Sequence, residues 1–565
     1  MKKSVFLFII YVSAVFFSVK LFGISTAAET SGAEYFEVAS VFSDHMVFQQ
    51  NEPIRVWGTG SGEGSTVYAT LGESYGQSDI VDGKWEIVFA PRAYTAEPLT
   101  LEIYSAPDSQ HRVFEDILIG DVWLFIGQSN IEYSFGGLEE YDELDRKAET
   151  MRNVRFLSFG SDDLEKLSDM PDIKEENGNP ASDGLMAGKQ WNVAGHGENV
   201  NASALGLCFA LELNALSGEE VPIGMISLGF AGKSLSAFVS PEISSGMSGY
   251  DDKSTVYESF IKPFINFPIR GAVWYQGEAD AAYYAEYADA LYAFIKGFRS
   301  EKNQSEYETV PFYIVELPPC FPAPAYAPKE QAAVWQYIDF GNVRSASGIL
   351  PSMAEKCYIC TTSDLWSDTE YPNNLHPPNK RDTATRLARM AAANEWGFSE
   401  FDSLVAPTVS EIVQISDDGK EVEVAFESNG RNLAVYGDTL TGFDAVGKDW
   451  NPMQVSAELV SENRVRIKAP EEIYILRYGA GTSSVFGKDT SLCNDAGIPA
   501  AAFSLYLKEF PVPFTEQLRV AAVKFIGFLY PFRAQLGIFI LFLLVVLTKF
   551  FIIKKTFTGK RGKRQ

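Results

Sequence analysis

"FIGQSNIEYSF", residues 125–135, begins where an apolar strand stops. Val122, Trp123, Leu124, Phe125 and Ile126 form a continuous apolar run, the pattern of a strand buried on both faces. Gly127, Gln128, Ser129 and Asn130 follow with no aliphatic residue among them. Such a break is either a plain strand-to-loop turn or a serine nucleophile held at the carboxyl edge of a parallel sheet, where α/β proteins bind their ligands. The surrounding sequence decides between the two.

From 119 to 400 the same pattern recurs. Apolar runs at 223–228, 272–275, 312–317 and 358–362 read as further strands, with helical segments between them. "SALGLCFALELNAL" has helical composition, and "ATRLARMAAA" puts Ala384, Leu387, Ala388 and Ala391 on one helical face. Alternation of this kind predicts a mainly parallel α/β sheet. On either side the chain changes character. Residues 36–118 are short β-rich runs broken by turn signals, and 404–512 return to β patterning. The expected layout is an N-terminal β domain (36–118), an α/β domain (119–403) and a C-terminal β-rich domain (404–512).

The chain of 565 residues, 46% hydrophobic, is long enough for two to four domains with a sizeable core. Its formal charge of −27 coexists with a basic tail, "KKTFTGKRGKRQ", so the body is more acidic still. An acidic body argues against a nucleic-acid partner, because phosphate binding needs basic patches. At the amino end, two lysines, an apolar stretch and small residues near Ala27 and Ala28 read as a signal peptide over 1–28. Near the other end, "LGIFILFLLVVLTKFFII" rises about 27 Å at helical pitch, close to the roughly 30 Å of a bilayer core. A transmembrane helix over 534–553 is expected, with the basic tail 554–565 cytoplasmic by the positive-inside rule. The body then faces the outside or a lumen, with the membrane as partner through that helix. Five cysteines are too few for a disulfide scaffold. Cys357 and Cys360 form a C-x-x-C, but no second pair completes a zinc site, and "KCYICTTSD" reads as a strand with core cysteines.

A serine nucleophile needs a base, a group to orient that base, and an oxyanion hole. Four histidines are available. His45 and His111 belong to the N-terminal β region, and His196 to the Gly- and Asn-rich "NVAGHGENVN". His376 lies in "SDTEYPNNLHPPNK", after a strand and before an amphipathic helix, on the sheet edge that meets Ser129.

Six blocks, in order, resemble the sialate O-acetylesterase family of SGNH (GDSL-like) hydrolases, over about 36–510. They are "VFSDHMVFQQNEPIRVWG", "GDVWLFIGQSN", "PIGMISLGFAGKSLSAF", "GAVWYQGEAD", "LHPPNKRDTATRLA" and "LRYGAG…LCNDAGIPAAAF". The resemblance implies an SGNH-like, flavodoxin-like parallel sheet flanked by two β-rich domains. It implies Ser129 as nucleophile and His376 as general base. The oxyanion donors would be the backbone N–H groups of Ser129 and Gly232, with the side-chain amide of Gln276.

The chain also departs from the family pattern. Where the family commonly has an aspartate two or three residues before the histidine, Asn374 and Asn373 stand here. An asparagine accepts a hydrogen bond but brings no charge to balance an imidazolium. Glu278 of "YQGEAD" is therefore expected to supply the acid, with Asp364 and Asp368 as further candidates. Ala231 replaces a usual glycine, and Phe230 stands where tryptophan is common.

The combined expectation is a membrane-anchored, extracytoplasmic serine esterase that removes O-acetyl groups from carbohydrate, sialic acid or an acetylated polysaccharide. It would need no metal and no organic cofactor. The alternative is a membrane-anchored glycan-binding or adhesion protein on a decayed esterase fold.

Overall fold

The computed structural model describes residues 36–508, apart from 106–110, 170–187, 196, 198, 248–252, 282–285, 302–308, 320–339, 366–374, 451 and 482–483. The expected signal peptide, transmembrane helix and basic tail lie outside the described residues, as do His196, Asp368, Asn373 and Asn374. Among the described residues, no helix is long and apolar enough to cross a membrane.

The organising element is a 17-residue strand, β1 (His111–Gly127), whose last eleven residues are all buried. The strands that complete its parallel sheet are β2 (Val154–Phe159), β4 (Ile223–Gly229), β5 (Gly271–Tyr275), β6 (Phe312–Val315) and β7 (Cys357–Cys360), with a two-residue β3 (Asn192–Val193) at one edge. The spatial order is β3-β2-β4-β1-β5-β6-β7. Only β3 runs antiparallel to its neighbour. The ladders β2–β4, β4–β1, β1–β5, β5–β6 and β6–β7 are all parallel. Set aside the β2–β3 edge and this is the 2-1-3-4-5 order of flavodoxin-like sheets, whose direction of winding reverses beside the first strand. That reversal opens a crevice at the carboxyl end of β1, where residues 127–130 emerge.

Side-chain size enforces the geometry there. A Cβ on Gly127 would stand 2.0 Å from the Tyr275 carbonyl oxygen, and one on Gly229 would stand 2.6 Å from the Glu132 nitrogen. The chain leaving β1 turns at once into a single helical turn, α1 (Ser129–Glu132), packed against the end of β4. Helix α2 (Ala204–Leu216) begins at Ser203, whose hydroxyl accepts from the Gly206 N–H at 3.2 Å, and ten of its residues are buried. Helix α3 (Arg381–Trp396) buries Ala384, Leu387, Ala388 and Ala391 completely, the face expected from the sequence. It ends at Gly397 with φ +74°, a left-handed cap that glycine adopts freely.

Two differences from the sequence reading have physical causes. The expected boundary at 118/119 falls inside β1. Its first half pairs antiparallel with Thr95–Ser105 and its second half parallel with β4 and β5. One hydrophobic core accordingly spans Phe36 to Ala406 and takes in Ile498 and Ala501, whereas the β strands from residue 408 surround a second core that includes Val424, Ile467 and Phe503. Strand β2, "VRFLSF", is absent from the strands that the apolar runs predict. It is a short strand next to the two-residue edge strand β3, and it lies in sequence between the charged helices Tyr141–Thr150 and Ser161–Asp169.

Candidate active site

The turn after β1 and the loop before α3 meet at the sheet edge. His376 Nε2 stands 2.7 Å from Ser129 Oγ, joining residues 247 apart in sequence. Both side chains are half-buried. Burial, and next the nearby Lys380 cation, hold the imidazole below its usual pKa. Near neutral pH the ring is therefore an uncharged acceptor, the form a general base requires.

Gly232 follows β4, whose register sets Gly229 beside Gly127, and the Phe230 N–H donates to the Gly127 carbonyl at 2.9 Å. Gly232 has φ +70°. The backbone N–H groups of Ser129 and Gly232 have no acceptor among the described residues. Two backbone donors with no acceptor, at the ends of adjacent strands beside a serine, are of the type that can receive charge on a reacting oxygen.

Glu132, at the end of α1, fixes this loop. Its carboxylate accepts from the Ser161 N–H (2.7 Å), the Ser161 hydroxyl (2.8 Å) and the Ala231 N–H (2.7 Å). One side chain thus ties the turns after β1, β2 and β4 together. Sequence reasoning misses Glu132, because its partners lie 29 and 99 residues away in the chain.

Gln276 occupies a different position from the one the resemblance implies. Its side-chain nitrogen lies within hydrogen-bonding distance of Gln128 Oε1 (3.2 Å), the Lys233 carbonyl (3.1 Å) and Asp280 Oδ2 (2.5 Å). Two amide hydrogens facing three acceptors leave nothing to donate to a reacting atom. The cause is Asp280, a buried carboxylate that also takes the Leu235 N–H at 2.9 Å. Gln276 here holds the Lys233 end of the glycine loop.

Glu278 likewise does not reach the imidazole. Its Oε1 accepts from Asn130 Nδ2 at 2.5 Å, and Asn130 Nδ2 also donates to the Leu375 carbonyl at 3.2 Å. Burial pushes the Glu278 carboxyl up to about 7. Asp364 is committed to Arg386 through two contacts, 2.9 and 2.6 Å. His45 pairs with Asp116 at 2.7 Å and His111 approaches Glu102 at 3.6 Å, both in the N-terminal region. Cys357 and Cys360 are buried in β7, their thiols pushed up to about 12 by burial, as core cysteines are.

Residues 119–348 match the family described as carbohydrate esterase, sialic acid-specific acetylesterase. The human sialate O-acetylesterase is 26% identical over 406 residues, 66% of this chain and 73% of the human protein. The mouse sialate O-acetylesterase is 23% identical, over 73% of this chain and 84% of the mouse protein. In fold, the chain is similar to the crystal structure of a carbohydrate acetylesterase from Xanthomonas citri. The TM-score is 0.65 at 23% identity, covering 84% of this chain and all of the other. The chain is a carboxylic ester hydrolase. His376 lies beyond the matched residues, in the segment between β7 and α3.

If Glu132 aims the Gly232 N–H, Glu132→Ala should lower kcat for an aryl acetate on the order of 10²-fold, the usual cost of losing an oxyanion donor. KM should change little. A parental kcat in the folded variant would remove Glu132 from the site's support.

Proposed function

We propose that the chain is a serine esterase that removes O-acetyl groups from carbohydrate, either sialic acid or an acetylated polysaccharide. The observation that carries this reading is the 2.7 Å contact between Ser129 Oγ and His376 Nε2. His376 Nε2 takes the hydroxyl proton as Oγ attacks the acetyl carbonyl carbon. The charge that develops on the carbonyl oxygen is received by the N–H groups of Ser129 and Gly232. The C–O bond to the sugar then breaks, and the imidazolium returns its proton to the departing sugar oxygen. Water, deprotonated by the same nitrogen, attacks the acetyl-Ser129 ester and releases acetate.

The lowered basicity of His376 suits the cycle. Only the neutral ring accepts the serine proton, and burial extends the range of pH over which it is neutral. The acidic limb of kcat/KM should therefore lie below the pH of about 6.5 at which an ordinary imidazole titrates.

The proposal includes an extracytoplasmic body released by cleavage near residue 28 and anchored through 534–553. It is supported by the hydropathy of those segments and the basic tail.

Two experiments follow. The purified protein, given a panel of O-acetylated sugars, should release acetate, and Ser129→Ala should abolish release without altering thermal unfolding. Equal rates in parent and variant would defeat the serine mechanism. A folded parent inactive on every acetyl ester would favour the glycan-binding alternative. Separately, the full-length protein should stay with membranes through an alkaline carbonate wash. Quantitative release into the wash would refute the anchor.

A further inference from the structure

The Ser–His pair leaves one conspicuous group without a role. Lys380, the residue immediately before α3, is 2% exposed, and burying an ammonium is unfavourable unless something receives its charge. Its Nζ donates to Asn130 Oδ1 at 2.6 Å. It also lies 5.1 Å from the centre of the Tyr133 ring and 5.7 Å from that of Tyr275. A cation between two aromatic faces with one fixed acceptor is held in place.

Asn130 connects this lysine to the reacting groups. It is fully buried and follows the nucleophile directly. Its oxygen is taken by Lys380. Its nitrogen donates to Glu278 Oε1 and to the Leu375 carbonyl, the peptide oxygen immediately before His376. An asparagine amide can turn over and exchange its oxygen for its nitrogen. With a cation on one side and a carboxylate on the other, only one orientation is favourable, and in that orientation the nitrogen points at the histidine loop. The amide therefore ties the nucleophile turn to the loop that carries the base.

We propose that Lys380 is a positioning residue for the esterase reaction. Acting through Asn130, whose amide it orients toward Glu278 and the Leu375 carbonyl, it fixes the His376 loop against Ser129. This inference rests on the serine-esterase reading of the site. Among the described residues, the titratable groups around Lys380 come from each packed element. They are Tyr133 beyond α1, Tyr275 at the end of β5, Glu278 in the turn after β5, and His376 on the lysine's own segment. Burial brings Lys380 down to about 7, with Glu278 opposing that fall. Its influence on the imidazole is therefore strongest in mildly acidic solution, where the lysine is charged.

The test combines titration with kinetics on the full-length protein. With four histidines in the chain, labelling histidine with ¹⁵N and comparing with His376→Gln assigns the His376 ring by NMR. Lys380→Met removes the charge and the hydrogen bond. Lys380→Gln removes the charge but keeps an N–H for Asn130. In both, the titration midpoint of His376 should rise by about half a unit or more, since a neighbouring cation disfavours imidazolium. For 4-nitrophenyl acetate, Lys380→Met should lower kcat on the order of tenfold at nearly constant KM, as a displaced base does. Lys380→Gln should recover part of that loss. Should the methionine variant not fold, the glutamine variant carries the titration. An unchanged His376 midpoint in a folded variant overturns the inference. An inactive parent whose His376 midpoint still moves supports the lysine's placement and defeats the esterase reading instead.

Discussion

The site depends on how closely the backbone of β1 approaches its two neighbours. At Gly127 any side chain would collide with the Tyr275 carbonyl, and at Gly229 with the backbone of α1. That contact brings the ends of β4, β1 and β5 to one level and forces the chain to turn sharply after residue 127. Ser129 then stands at the place where the winding of the sheet reverses, with unspent backbone donors beside it. A bulkier residue at either glycine would separate Ser129 from the neighbouring strand-end loops.

Polar groups behind the serine, most of them buried, convert this backbone geometry into a defined site. Glu132 ties three strand-end turns together, Asp280 and Gln276 hold the Lys233 end of the glycine loop, and Asn130 joins the nucleophile turn to the histidine loop. A buried carboxylate or ammonium is tolerated when several donors or acceptors converge on it. Here that convergence also fixes the positions of Ser129, Gly232 and His376. One oxygen of Glu278, Oε2, has no hydrogen-bond partner among the described residues, in keeping with a carboxyl that burial pushes toward the protonated form.

The central strands are legible in the sequence because a short, continuous apolar run ending in polar turn residues fits a buried strand and little else. Helix α3 is legible because its buried face repeats at helical spacing, and α2 from its composition, whereas the helix Tyr287–Glu301 is absent from the sequence reading. Ser129 and His376 stand out as candidates from their places at strand ends. Their apposition, and the work of their neighbours, does not. Asn130 and Lys380 both stand within recognisable motifs, yet nothing local shows that residues 250 apart share a hydrogen bond. For Gln276 the family resemblance implies a role at the reacting oxygen, and for Glu278 the uncharged Asn373 and Asn374 suggest the acid that supports the imidazole. Each side chain is instead claimed by a buried partner closer by, Asp280 for one and Asn130 for the other. The boundary at 118/119 falls inside β1 for a related reason: turn signals mark where a chain reverses, and β1 continues from one sheet region to the next as a single strand.

The central claim is that His376 activates Ser129. Treatment with a fluorophosphonate, followed by peptide mass analysis, tests it without any knowledge of the natural sugar. The account predicts a single adduct on the peptide carrying Ser129, formed far more slowly in His376→Ala. Modification at an unchanged rate in that variant, or none at Ser129 in the parent, would contradict it.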